Sequence, residues 1–440
     1  MVASTGPVDD SGTPMPPTAK NPLDSLKKGL RTDSRRKFVE NFFVLCVLYQ
    51  FLIHVCLSLV GQKDQLKPIF DYLSPYAAFV LFATAYLPIA ALRGRHFLVA
   101  LAAALVILTS FSFFKHWSDD AFLGNSIKSI QYFYGVVIVF IGSVAILEIS
   151  RINAVLLSRE LIRKILIFAS IVTIYEFLVL NFVFDPASSF FYKYLDVIIN
   201  DSSIFRIRPV GIALYAQPNS VFLVYLLALY MWHWGSISTI GYLGILAVAA
   251  SMGGTGISSL AMLILMRNLK LSWRAVIGLS LVFAGVIAAA IFVQPIAEKF
   301  DLRYLAILLE YLIRAYDAYL ANFTPAQIVW GTSEIQVDYS PGVTHDWAYF
   351  DVFYEYGLIG LLSYFAIYFF IISYALPRNT SRPIKWLIVL FFFGTNFHYS
   401  ALNYYSGQLF FGIVGAIGYY RKCYATSLRG GELAALRHGV

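Results

Sequence analysis

PGVTHDWAYFDVFYEYGLIGLLSY, residues 341–364, sets His345, Asp346, Asp351 and Glu355 among aromatics and then passes into an apolar run that continues to residue 376. A helix needs about 20 predominantly apolar residues to cross a bilayer, so this stretch reads as a polar entrance to a membrane span. Similar runs fill the rest of the chain, at 38–60, 71–92, 97–114, 127–147, 165–184, 209–232, 236–251, 253–269, 275–293, 384–399 and 404–420. With 59% apolar and 13% charged residues, the chain is expected to be an all-α polytopic membrane protein of about twelve spans.

Orientation follows from the basic residues. With a cytoplasmic amino terminus, the inside segments are 1–37, 93–96, 148–164, 233–238, 267–274, 377–385 and 421–440. They hold more than two thirds of the 33 lysines and arginines, as the positive-inside rule requires. Both termini are therefore expected in the cytoplasm: 1–37 as a disordered basic tail, 38–420 as the membrane domain and 421–440 as a second tail. The net charge of +8 is accounted for by sidedness and does not call for nucleic acid. The pair 236–251 and 253–269 is divided only by SMGGTG, residues 251–256, and a missing break there would invert everything after it.

Two outer segments are long, 185–208 and 294–345. The second carries an amphipathic stretch, residues 300–322, with Glu310, Arg314 and Asp317 among apolar residues at helical spacing, and reads as helix lying on the outer face before the tenth span. The three cysteines, Cys46, Cys56 and Cys423, suggest neither a disulfide framework nor a metal site.

Arginine on the outside runs against the statistical trend, which singles out Arg206, Arg208 and Arg314. A guanidinium at an apolar boundary pairs with phosphate or carboxylate oxygens in bidentate fashion; the simpler reading is that these side chains snorkel to headgroups or pair with Asp196, Asp201 or Asp317. Three of the seven histidines, His116, His345 and His398, fall near the outer face. His345 alone joins a long outer loop to a span, where an imidazole can serve as a general base at neutral pH or simply hydrogen-bond a carbonyl. Asp119 and Asp120 read as a solvated turn. Gly253-Gly254-Thr255-Gly256 is not a phosphate loop, because no Lys-Ser/Thr follows it. Small residues there, and Gly412, Gly415 and Gly418, let helices approach closely. No metal-ligating motif or Walker sequence is present.

Three elements together resemble the O-antigen ligase and O-antigen polymerase superfamily. Arg208-Pro-Val-Gly211 followed by Gln217-Pro-Asn219 is similar to its R-x-x-G…P-N element. Arg314, with Trp330-Gly331 further on, looks like its outer-loop element. Thr344-His345-Asp346 leading to Glu355-Tyr356-Gly357-Leu358-Ile359-Gly360-Leu361 is similar to its H-N…E-x-G-L-I-G signature. The order and spacing of the three, and the large loop before the tenth span, extend the likeness over about residues 38–420. Asp346 stands where the family usually has Asn, and Gly253–Gly256 replaces a Ser-Arg-Gly; both departures bear on the finer substrate contacts.

The resemblance implies an inverting, metal-independent and cofactor-free glycosyl transfer at the outer face of a bacterial inner membrane. Donor and acceptor would be polyprenyl diphosphate-linked oligosaccharides, with a flippase and a chain-length regulator as partners and no nucleic acid. Arg208 and Arg314, supported by Arg206, would neutralise the diphosphate. His345 would deprotonate the acceptor hydroxyl, with Asp346, Glu355, Gln217 and Asn219 in support. A polymerase of surface polysaccharide is the expected member. A ligase, which moves the glycan onto lipid A core or protein, is the alternative within the family. A flippase is the alternative outside it, but it would place its charges within the spans.

Overall fold

The structure is a computed structural model that describes residues 22–59, 74–115, 122–152, 156–183, 208–214, 216–268, 323–332, 348–377, 379–396, 401–402 and 404–437. Among these residues every regular element is helical. In chain order they are α1 (Pro22–Leu59), α2 (Pro75–Leu92), α3 (His96–Lys115), α4 (Phe122–Ser150), α5 (Leu157–Leu178), α6 (Ala216–Trp234), α7 (Thr239–Ala250), α8 (Gly254–Asn268), α9 (Pro325–Trp330), α10 (Ala348–Ala375), α11 (Arg382–Thr395) and α12 (Tyr405–Arg437). Helix is what a bilayer demands, since within hydrocarbon each backbone N–H and C=O must be paired inside its own segment.

Six helices are long and apolar enough to cross a membrane: Ser34–Leu57 within α1, α2, His96–Phe114 of α3, Phe133–Ser150 of α4, Leu157–Phe182 from α5 onward, and Val352–Ala375 of α10. The twelve expected spans are thus matched by six helices among the described residues. The reasons differ by segment. Gln217, Pro218 and Asn219 at one end of α6 and His233 at the other dilute its apolar run, and four glycines with Arg421 and Lys422 do the same for α12. Both are interior helices, nearly all of whose middle residues are buried. The expected break at 251–256 is present, with a turn at Ser251–Met252 separating α7 and α8, but both are short apolar helices. The expected span 275–293 lies outside the described residues.

Two groups of helices make up the fold. In the first, α4 is the hub, packed against α2, α3, α10 and α12. Glycines set these distances. A Cβ on Gly142 would lie 2.6 Å from the carbonyl oxygen of Phe79, one on Gly412 2.7 Å from Val139, and one on Gly415 2.9 Å from the carbonyl oxygen of Ile371, so the backbones meet as they do at small-residue membrane interfaces. In the second group α5, α6, α7 and α8 pack on one another. Helix α1 touches both groups through α12 and α5, and Lys164 of α5 donates to Glu40 at 2.6 Å and to Asn41 at 2.9 Å on α1. At the α2–α3 turn, Arg93 and Arg95 pair with Glu148 at the end of α4, the latter at 3.3 Å.

Helix α1 begins at Pro22, so the basic segment read as part of a disordered tail is helical from that residue on. Lys27, Lys28 and Arg31 extend the helix ahead of the span, a composition whose helix propensity is high despite its low apolarity. Helix α12 likewise runs on to Arg437 through the segment taken as a carboxy-terminal tail.

Candidate functional site

Arg208 is half-buried, and the residues after it turn once, as a 3-10 turn over Gly211–Ala213, ahead of α6. Two consecutive backbone N–H groups in this turn, those of Val210 and Gly211, each donate at 2.9 Å to the carboxylate of Glu176, one to each oxygen. Glu176 is buried near the end of α5. A buried carboxylate is tolerated only where hydrogen bonds replace its water, and buried backbone N–H groups need acceptors, so each side of this contact solves the other's problem. The result is a clamp that fixes the residues directly after Arg208.

Gly211 has φ +54°, a left-handed conformation, and a Cβ there would sit 2.3 Å from the carboxamide of Asn219. Asn219 is fully buried and its amide nitrogen donates to the hydroxyl of Thr173 at 3.0 Å. Thr173 and Glu176, three apart on α5, lie on one face of that helix and hold the two halves of the R-x-x-G…P-N element. Gln217 accepts at its carbonyl from the Ser220 hydroxyl at 2.7 Å. Ser220 in turn fills the space left by Gly253 and Gly256, whose Cβ atoms would lie 2.4 and 2.6 Å from it. The glycine-rich break between α7 and α8 is therefore a seat for the first turn of α6.

A second assembly forms around α10. Its backbone departs from helix at Gly357, φ +62° and ψ −159°, a conformation essentially confined to glycine. The short helix α9, closed at its start by a reciprocal capping box between Thr324 and Gln327, docks on this kink. The Thr332 N–H donates to the Tyr354 carbonyl at 2.9 Å, one turn before the kink. A Cβ on Gly331 would lie 2.3 Å from the carbonyl oxygen of Glu355, and one on Gly357 2.4 Å from that of Val329. Trp330-Gly331 and Glu355-Tyr356-Gly357, far apart in the chain, thus meet backbone to backbone. Glu355 is half-buried beside the contact. Gly360 makes room for Tyr356 one turn earlier, and the buried Tyr356 ring meets Phe133 of α4 edge-on at 5.2 Å.

The end of α11 links the two assemblies. Its Thr395 donates to the hydroxyl of Tyr225 on α6 at 2.9 Å, and its neighbour Asn396 donates to that of Tyr364 on α10 at 3.2 Å. Tyr368 adds a bond to the Leu402 carbonyl at 3.0 Å, and the Leu402 N–H returns to Asn396 at 3.0 Å. All are buried. Paired polar groups of this kind fix helix against helix in an apolar medium.

Of the expected site residues, Arg208, Gln217, Asn219 and Glu355 are thus placed, in two assemblies joined through α11. Arg206, Arg314, His345 and Asp346 lie outside the described residues. Glu176 and Thr173, which bond the turn after Arg208 and the Asn219 amide, were not singled out by the sequence; a carboxylate within an apolar span is itself a signal, and Glu176 carries it. No family model matches the chain, and no curated protein or solved structure matches it either.

Proposed function

We propose that this protein is an inverting, metal-independent glycosyltransferase of the bacterial inner membrane. It polymerises a surface polysaccharide by moving a glycan from a polyprenyl diphosphate carrier to a sugar hydroxyl of a second lipid-linked repeat unit. The observation that carries the proposal is the clamp of Glu176 on Val210 and Gly211. It fixes the backbone next to a guanidinium at the boundary of a membrane span, where a multiply charged leaving group has to be stabilised without reorganisation.

In this reading the twelve apolar segments cross the membrane with both termini inside, and Arg208 lies at the outer face. Arg208 and Arg314, with Arg206 beside them, take the charge that develops on the diphosphate as the glycosidic bond breaks. His345 accepts the proton of the attacking hydroxyl as the new bond forms at the anomeric carbon, and the displaced carrier leaves as polyprenyl diphosphate. Support comes from the juxtaposition of Trp330-Gly331 with Glu355–Gly357, which brings the described residues on either side of 333–347, the segment that contains His345, together on one helix.

The test is incubation of the purified full chain with lipid-linked repeat units from its own host. A ladder of lengthened lipid-linked glycans is expected. Transfer only to lipid A core or protein would make the enzyme a ligase, and movement of the lipid across a vesicle without a new glycosidic bond would make it a transporter.

A further inference from the structure

Helix α1 carries Gln50 and His54, one turn apart, in the last part of its apolar span. Such residues are costly in a membrane segment unless they face a polar neighbour or a cavity. Here they line a cleft of about 240 Å³ between the ends of α1, α2 and α12, together with Tyr49, Ser74, Tyr76 and Tyr405. The ring of Tyr49 stacks near that of Tyr405, 6.3 Å apart and 29° from parallel, and Tyr405 meets Tyr76 edge-on at 5.1 Å. Tyr76 is held in place by its hydrogen bond to Gln408 at 2.7 Å. Ser74 occupies the N-cap of α2, where a serine hydroxyl ordinarily accepts from the first helical turn. It makes no such bond, and the residue lines the cleft instead.

Flat aromatic faces combined with hydroxyl, carboxamide and imidazole groups suit a ligand with apolar C–H faces and a rim of hydroxyls. The hydroxyl, carboxamide and imidazole groups of its lining are of the kind that hydrogen-bond sugar hydroxyls. The volume is below the ~300 Å³ at which sites for drug-sized ligands begin, which suits one ring rather than a chain of rings. The positive-inside orientation puts these helix ends on the same side as Arg208. We infer that the cleft is a binding subsite for a single neutral pyranose ring of the lipid-linked glycan, apart from the transfer site. This rests on the reading of the protein as an enzyme of lipid-linked glycans.

The inference is tested without any glycosyl transfer, by saturation-transfer NMR on the full chain in phosphatidylcholine nanodiscs. The probes are methyl pyranosides of glucose, galactose, rhamnose and N-acetylglucosamine, with glycerol and phosphocholine as controls. At least one pyranoside is expected to receive saturation at its ring protons, and Tyr49→Ala is expected to lower that transfer about fivefold by removing one stacking face. Ser74→Ala, which deletes one hydroxyl, and Ile53→Trp, which fills the cleft, provide variants that keep the helices intact; both are expected to weaken transfer. Transfer that is absent for all four pyranosides, or that is unchanged in all three variants, overturns the subsite. Transfer to phosphocholine alone makes the cleft a headgroup site and overturns it equally. Because the readout is binding, its failure leaves the polymer assay unaffected, and the converse holds.

Discussion

At Glu176 a single carboxylate accepts from both Val210 and Gly211 in the turn that precedes α6. Replacing it by Ala leaves the Val210 and Gly211 N–H groups without acceptors in a buried site. Leaving a buried donor unsatisfied costs about 1–3 kcal/mol, so Glu176→Ala is expected to lower the thermal transition of the purified protein and to abolish polymer. Glu176→Gln retains one acceptor oxygen but turns an NH₂ toward a donor, and is expected to fall between the two. Wild-type stability and polymer in Glu176→Ala would remove the clamp from the account. Gly211→Ala tests the same connection from the other side. Its Cβ would press on Asn219, and its left-handed backbone adds strain of about 1–3 kcal/mol, so loss of function with normal membrane insertion is expected.

At the scale of elements, α10 is a kinked helix whose kink is a docking site. Gly357→Ala places a methyl against the Val329 carbonyl and disfavours the kink by about 1–3 kcal/mol. Straightened, α10 would no longer present the close backbone approach on which Gly331, Thr332 and α9 dock. Limited proteolysis is expected to cut between α9 and α10 faster in this variant than in wild type; an unchanged rate would show that the docking does not depend on the kink. Gly331→Ala acts on the same contact from α9 and is expected to give the same cleavage pattern.

Over the whole molecule, helicity and membrane residence were legible from apolar run length, because a bilayer leaves helix as the only economical answer, and the break between α7 and α8 from the glycines of residues 251–256. The pairing of Trp330-Gly331 with Glu355–Gly357 was legible only as two motifs. Nothing in residue spacing states that two glycines packed backbone to backbone are the joint. Glu176 was hidden because span reading averages over a window, and one carboxylate scarcely moves the mean. The interior helices α6 and α12 fell short as spans because polar ends and packing glycines, which serve helix contacts, lower the same average. Orientation is tested by cysteine labelling in whole cells. A cysteine at 190–195 is expected to react with an impermeant maleimide and one at 153–155 only after permeabilisation; the reverse pattern would invert the membrane topology.

The central claim is that Arg208, Arg314 and His345 act on one lipid-linked substrate, and it is met most directly by single replacement of each with Ala in the producing cell. Polymer chain length is read on gels beside the amount of each variant in the membrane. Each variant is expected to insert at the wild-type level, to lose polymer and to accumulate single repeat units on the carrier lipid. Wild-type polymer in all three variants would contradict the claim.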